Sequence, residues 1–340
     1  MGFQYKTGMY GGSFNPLHLG HVDCILRAAS LCRRLYIVLS VGVNRGEVPY
    51  RVRYRWLYQL TCHLGNVAIL TLEDSAAAKA DYTRDLWEKD AAAVKAQIGA
   101  PIDVVFCGDD YGEDSFWNLC YPDSALYIFP RNGMSSTEIR KNPYRRWDWL
   151  PEPVRPWYVR KVLLMGGEST GKSTLTISLA RRFNTNYVAE AGRELSEKSG
   201  TDRMMLSQDF TEILLQHKLN EMRALEHSSK VLFIDTDALV TQFYMNFLED
   251  PEIEKNAALS DALDALNTYD LILFLEPDVA FVQDGDRSPV IRDHREKYSR
   301  QIKDLLERRR RSFVCISGGY EERYCRAVEL VQELLDGAPL

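Results

Sequence analysis

Gly166-Gly167-Glu168-Ser169-Thr170-Gly171-Lys172-Ser173 follows an apolar run, Lys161–Met165, and opens a segment with helical spacing, Lys172–Phe183. The eight residues fit G-x-x-x-x-G-K-[ST] without a mismatch. Glycines let successive backbone N–H groups curl around phosphate oxygens, and a helix N-terminus adds partial positive charge. Lys172 is expected to reach the β- and γ-phosphates of ATP, and Ser173 to ligate Mg²⁺. Gly167, Glu168, Ser169, Thr170, Gly171 and Thr174 complete the expected ATP loop. A strand before the loop and a helix after it mark an α/β unit with a parallel sheet.

Further along, the apolar run Val231–Ile234 ends in Asp235-Thr236-Asp237. A carboxylate at the end of such a strand can hold Mg²⁺ directly or through water. Residues two apart on an extended chain point the same way. One of the two, Asp235 or Asp237, could therefore serve the metal while the other orients the acceptor hydroxyl. Glu190 and Arg193 follow an expected strand, Asn186–Ala189. The C-terminal edges of strands face the crevice where α/β sheets bind ligands. Glu190 could hold a sugar hydroxyl and Arg193 a phosphate or carboxylate; a plain helix-start cluster would read the same. Around Pro289, Arg287 and Arg292 stand with Asp284, Asp286, His294 and Arg295 in a polar stretch. It has the character of a lid whose arginines close over transferring phosphates, and equally of a solvated loop. His294–Arg311 is expected as a long charged helix, Phe313–Ile316 as a strand and Arg323–Leu335 as an amphipathic helix.

The same alternation runs through the first half. Strands are expected at Thr7–Gly11, Leu35–Val41, Val67–Leu72, Asp103–Cys107 and Leu126–Phe129, with helices at Leu19–Cys32 and Arg51–Leu64. After the first strand comes Gly11-Gly12-Ser13-Phe14-Asn15-Pro16-Leu17-His18-Leu19-Gly20-His21. Two imidazoles three residues apart on a first helical turn can serve one phosphate. Gly11, Ser13, Phe14, His18 and His21 are the expected contacts of a second nucleotide. Far downstream, Ser135-Ser136-Thr137-Glu138-Ile139-Arg140 offers hydroxyls and an arginine, so Ser136, Thr137 and Arg140 are candidate phosphate ligands. Ser135 and Glu138 also fit a helix capping box. Between Asn142 and Arg160 four prolines lie among Trp147, Trp149 and Trp157. Proline continues neither a helix nor a central strand, so this is a boundary. The expected domains are 1–145 and 161–340, joined by a Pro/Trp-rich segment, 146–160, packed enough to fix the two halves.

The composition of the 340 residues is that of a globular protein, 45% hydrophobic and 26% charged, with a net charge of −6. It announces no basic face for nucleic acid. Seven scattered cysteines without a C-x-x-C pair read as free thiols in a reducing cytoplasm. No signal segment and no apolar run of membrane-spanning length is apparent, so neither nucleic acid nor membrane is an expected partner.

H-x-G-H near the N-terminus with S-S-T-E-I-R later resembles the nucleotidyltransferase superfamily, particularly nicotinamide-nucleotide adenylyltransferases. Joined to G-G-E-S-T-G-K-S and I-D-T-D, the chain resembles the bifunctional NadR family over nearly its whole length. The resemblance implies two doubly wound α/β domains, a Rossmann-like nucleotidyltransferase and a P-loop kinase. It implies ATP and Mg²⁺ as co-substrate and cofactor, and ribosylnicotinamide, nicotinamide mononucleotide (NMN) and NAD as ligands. His18, His21 and Arg140 would stabilise the reacting α-phosphate and departing pyrophosphate, and Gly108 and Asp109 would meet ribose and adenine. Arg53 is a weaker phosphate candidate, and Trp87 the candidate for stacking on the nicotinamide ring. Asp235 would be Mg²⁺ ligand or base, and Glu190, Arg193 and Asp237 would face the nucleoside. An alternative is an active kinase with a nucleotide-sensing N-terminal half. Some members carry a DNA-binding helix-turn-helix domain before the transferase; this chain starts at the transferase strand, so a repressor role is not expected. Association into a homo-oligomer is left open by the sequence.

Overall fold

The computed structural model describes residues 2–42, 48–74, 76, 81–109, 116–130, 133–192, 204–283 and 289–337. They divide into two compact units, 1–154 and 155–340, with the division inside the proline- and tryptophan-rich segment. Among the described residues no helix is long and apolar enough to cross a membrane.

The first unit holds strands β1 Tyr5–Gly12, β2 Cys32–Val41, β3 Val67–Glu73, β4 Val104–Gly108 and β5 Ala125–Phe129. Its helices are α1 Leu19–Leu31, α2 Tyr50–Thr61, α3 Arg84–Ile98, α4 Phe116–Cys120 and α5 Ser136–Lys141. The sheet order is β3-β2-β1-β4-β5, and every pairing is parallel. The chain walks outward from β1 through β2 and β3, then restarts on the other side at β4. Loops leaving β1 and β4 diverge to opposite faces, which opens a crevice at their C-terminal ends. The β4 side chains are all buried, so this strand reads as an unbroken apolar run. On one face Met9 and Val38 pack against Ala91 and Val94 of α3 and Cys120 of α4.

The second unit holds β6 Arg160–Gly166, β7 Tyr187–Val188, β8 Val231–Asp235, β9 Leu271–Leu275 and β10 Val314–Ile316. Its helices are α6 Lys172–Arg182, α7 Ser207–Glu226, α8 Ala238–Phe247, α9 Ile253–Leu266, α10 Pro289–Asp293, α11 Arg295–Arg308 and α12 Tyr320–Asp336. The order β10-β9-β6-β8-β7, again all parallel, puts the P-loop strand at the centre. The reversal falls at β6, so the crevice opens directly above the glycine-rich loop. Leu175 and Leu179 of α6 and Leu330 of α12 bury one face of the sheet, on Val162, Phe233 and Leu273. The connecting segment forms two short 3₁₀ turns. Trp147 is buried beside Tyr144 in the first unit, whereas Trp157 is exposed in the second.

Candidate active sites

In the second unit the loop after β6 carries three positive φ angles, 144° at Gly166, 58° at Ser169 and 87° at Gly171. A β-carbon at Gly166 would stand 2.6 Å from the Leu275 carbonyl oxygen of β9, so only glycine lets the chain leave the sheet there. The loop is then pinned by its carbonyls. Arg323 of α12, 2% exposed, donates to Thr170 O at 2.7 Å, Gly318 O at 2.7 Å and Glu276 O at 2.8 Å, and pairs with Asp278. Arg295 of α11 donates to Ser169 O at 3.2 Å and Val279 O at 2.7 Å. Lys172 Nζ and Thr170 Oγ1 both donate to Gly167 O, at 2.8 and 2.9 Å. In a trans peptide the carbonyl and the next N–H point in opposite directions. Holding the carbonyls of 167, 169 and 170 from behind therefore aims the N–H groups of Glu168, Thr170 and Gly171 the other way. A set of free-facing N–H donors at a helix start has the chemistry to hold an anion.

Replacing Arg323 with methionine would leave three carbonyls without their donor. At about 1 kcal/mol each, the low end for buried polar groups, this unit would lose about 3 kcal/mol. Calorimetry of the full chain should show its unfolding midpoint fall by roughly 6–12 °C; an unchanged midpoint would mean the carbonyls find other donors.

Asp235 ends β8 beside the loop strand, and Thr236 N–H donates to Leu164 O at 3.0 Å. Asp237 does not follow the expected alternation. Thr236 has φ 63°, so the chain is not extended through these three residues, and Asp237 turns away to cap α8, accepting from Leu239 N–H at 3.0 Å. It is 3% exposed, and burial pushes its carboxyl up to about 7. Its geometric position is that of a buried helix cap. Glu190 lies just past β7, half-buried. It acts electrostatically on His217, whose ring nitrogen sits 3.2 Å from Asp235 O and whose pKa burial lowers. Glu168 accepts from Tyr244 OH at 3.1 Å, and Ser169 Oγ accepts from Val282 N–H at 2.8 Å. Ser173 sits in the first turn of α6, and Thr174 next to it is exposed. Arg193 and Arg287 lie outside the described residues. Arg292 is exposed and paired with Asp293 at 2.8 Å, so it is Arg295, from the same polar stretch, that reaches the loop. A cleft of about 540 Å³ opens beyond Gly171, between Thr174 and Ser178 of α6 and Tyr320 and Tyr324 of α12.

In the first unit the two motifs meet. Ser136 Oγ donates to Pro16 O at 2.9 Å across 120 residues, and Arg140 donates to Asn15 O and, at 3.0 Å, to Thr137 Oγ1. The expected capping box does not form: Ser135 accepts from Thr137 N–H, while Glu138 pairs with Lys141 at 2.6 Å. His18 is the N-cap of α1, 3% exposed, and its backbone N–H donates to His21 Nδ1 at 3.4 Å. The two imidazoles stack at 3.7 Å, with Phe14 edge-on to His21 at 5.2 Å. Gly108 and the exposed Asp109 stand at the end of β4, on the other side of the crevice. Arg53 is buried at 1% exposure, held by Ser13 O, Ser40 O and Val48 O. Its guanidinium shapes the loop from behind, as Arg323 does in the other unit, and is not offered to a phosphate.

Beside Gly11, Gly12 and Ser13 lies a cavity of about 290 Å³, walled largely by rings from α3 and α4. Trp87 stands in that wall, but Tyr82 covers one of its faces at 3.9 Å and Phe116 stacks on it at 3.7 Å. A third ring could enter that stack only by replacing one of them. Trp117 packs on Gly11, where a β-carbon would meet the ring at 3.0 Å, so this glycine makes room for an indole. Sequence reasoning overlooked Trp117, Asp74 and Asp90 of this wall, since nothing local marks them.

Comparison with known proteins follows the same division. Residues 9–142 match the cytidylyltransferase-like family and residues 161–323 a family described as an AAA domain. The trifunctional NAD biosynthesis/regulator protein NadR of Escherichia coli (strain K12) is 30% identical over 98% of this chain and 84% of its own length. A crystal structure of NadR protein in complex with NR superposes with a TM-score of 0.82 at 22% identity, covering 99% of this chain and 98% of that one. Another, in complex with NAD and AMP-PNP, gives 0.77 at 23% identity, covering 100% and 99%.

Proposed function

This chain belongs to the NadR family, and from that premise we infer how its two units act. It is a bifunctional NAD-salvage enzyme, a ribosylnicotinamide kinase and an NMN adenylyltransferase. In the kinase unit the 5′-hydroxyl of ribosylnicotinamide attacks the γ-phosphorus of ATP, ADP leaves, and the product is NMN. In the transferase unit a phosphate oxygen of NMN attacks the α-phosphorus of a second ATP, and pyrophosphate leaves with formation of NAD. Both steps are in-line displacements that depend on positioning and on neutralising phosphate charge.

For the kinase unit we assign the phosphates to the N–H groups of the loop from Gly167 to Ser173, with Lys172 on the β- and γ-phosphates. The nucleotide's base end would occupy the cleft beside Tyr320. Mg²⁺ suits the donor set: Ser173 and Asp235 offer hard oxygen ligands, and the nucleotide's phosphates supply more. Among the described residues there is no cluster of three or more His, Cys, Asp or Glu that would form a cage for a metal by itself. The ion would neutralise charge on the phosphates; Ser173 and Asp235 would hold it, and Glu190 would face the nucleoside. Asp237 acts through the backbone at the start of α8.

For the transferase unit, the observation that carries the reading is the junction of the two motifs at Asn15 and Pro16. We assign His18, His21 and Arg140 to one site, where they neutralise the reacting α-phosphate and the departing pyrophosphate, and the bonds of Ser136 and Arg140 to the loop before His18 support that reading. Ser13, Ser136 and Thr137 complete the polar rim, and Gly108 and Asp109 meet the ATP ribose and adenine. The ring-lined cavity beside Gly12 takes the nicotinamide end. Incubation of the full chain with Mg-ATP and ribosylnicotinamide, followed by chromatography, should show NMN rising first and NAD after it. NMN without NAD would remove the second activity, and neither product would remove both.

A further inference from the structure

The peptide group between Asp235 and Thr236 is bonded on both sides. Its N–H, on Thr236, donates to Leu164 O of β6 at 3.0 Å. Its carbonyl, on Asp235, accepts from His217 Nε2 of α7 at 3.2 Å; a carbonyl oxygen only accepts, so that ring nitrogen carries a proton. In a trans peptide the two groups point in opposite directions, so the carbonyl faces the β7 side of β8. There β7 ends at Val188, opposite Ile234 and one residue short of Asp235. An imidazole from the crossover helix meets β8 just where its neighbouring strand stops.

This peptide needs holding. Thr236 has φ 63°, a left-handed conformation that is strained for a β-branched residue. Turning the peptide over would relieve Thr236 and break both bonds. Asp235 stands immediately before it, so the direction of its carboxylate depends on the peptide staying as it is. His217 is itself well fixed. It is 8% exposed, and one turn along α7, on the same face, the buried Glu221 pairs with Lys161 of β6 at 3.0 Å. Lys218 beside it bonds Glu221 at 3.3 Å and Asn267 Oδ1 at 2.7 Å. Two residues four apart thus tie α7 to the phosphate-loop strand and to the end of β8. We propose that His217 is a positioning residue for phosphoryl transfer: its N–H holds the Asp235–Thr236 peptide in the left-handed turn and so keeps the Asp235 carboxylate aimed at the crevice. This rests on the kinase reading of the unit, with Asp235 on Mg²⁺. The role is indirect, exerted through a backbone carbonyl and not on the reacting atoms.

The test compares His217→Leu, which removes the donor, with His217→Gln, whose amide N–H can reach the same carbonyl. NMN formation and NMN-to-NAD conversion by the full chain are measured separately over a range of Mg²⁺ concentrations. His217→Leu should raise the Mg²⁺ needed for half-maximal NMN formation by about tenfold, the effect of one buried acceptor left unpaired. The KM for ribosylnicotinamide and the rate of adenylyl transfer should stay at wild-type values. His217→Gln should bring the Mg²⁺ requirement back to within about threefold of wild type. In the chain without nucleotide or metal, the Thr236 amide should exchange with deuterium at least about tenfold faster in the leucine variant, and near the wild-type rate in the glutamine variant. A lower unfolding midpoint with either the Mg²⁺ requirement or the Thr236 exchange unchanged would make His217 a packing residue and overturn the proposal. Should His217→Leu not fold, His217→Asn replaces it, since its amide stops one methylene short of the carbonyl; asparagine and glutamine variants that behave alike would also overturn the proposal. A wild type that makes no NMN would remove the kinase reading and the proposal with it, whereas NMN formation whose Mg²⁺ requirement ignores residue 217 would overturn the proposal alone.

Discussion

Lys172→Ala should leave the chain converting NMN to NAD at the wild-type rate while NMN formation falls to a small remnant. The ammonium group lies 2.8 Å from Gly167 O, folded back onto the loop whose N–H groups face the crevice. A nucleotide offers it stronger acceptors, charged phosphate oxygens in place of a neutral carbonyl. Removing one preorganised positive donor at a transferring phosphate costs about a hundred- to thousandfold in rate. Arginine at 172 should not rescue it, because the planar fork is bulkier than a compact ammonium and needs different geometry. The loop itself should survive, since Arg295 and Arg323 hold the carbonyls of Ser169 and Thr170 independently of Lys172. Kinase and adenylyltransferase rates measured separately on the same preparation check this. Loss of both from folded protein would contradict independent sites.

His18→Ala is the mirror experiment. The imidazole is buried at the start of α1 and stacked on His21 at 3.7 Å, so both rings sit where the helix N-terminus already favours an anion. Its loss should lower adenylyl transfer by about a hundred- to thousandfold and leave ribosylnicotinamide phosphorylation at the wild-type rate. Because His18 is buried, some loss of stability accompanies the change. His21→Ala, at the less buried ring, should lower the same activity with a smaller effect on the unfolding midpoint. Wild-type transfer in both variants would remove the histidines from the reaction.

Much of both sheets could be read in the sequence, for a physical reason. Parallel strands are covered on both faces and show as unbroken apolar runs; the run Val231–Ile234 is observed as β8, Val231–Asp235. The helices α3 and α7 were not apparent, because alanines and scattered charges blur the period of Arg84–Ile98, and Ser207–Glu226 leaves Leu215, Leu219 and Met222 exposed on its outer side. At the sites, contiguous motifs were legible and assembled ones were not. His18, Lys172 and Asp235 announce themselves through neighbours in the chain. Arg323 looked like one more charge on an amphipathic helix, and nothing local marked Asp74, until the fold brought their partners to them. At Asp237 the expectation assumed an extended chain, whereas Thr236 is left-handed and Asp237 caps a helix.

The bond from Arg323 to Thr170 spans 153 residues. During synthesis, domains fold as units while the chain grows at about 5–20 residues per second. The phosphate loop is therefore made about 8–30 seconds before the helix that braces it. A nascent chain carries every residue of the nucleotide motif, yet its loop lacks the guanidinium that orients Gly171 N–H. Tight nucleotide binding by this unit should thus arrive late on the ribosome, with the docking of α12, and not when the motif itself emerges.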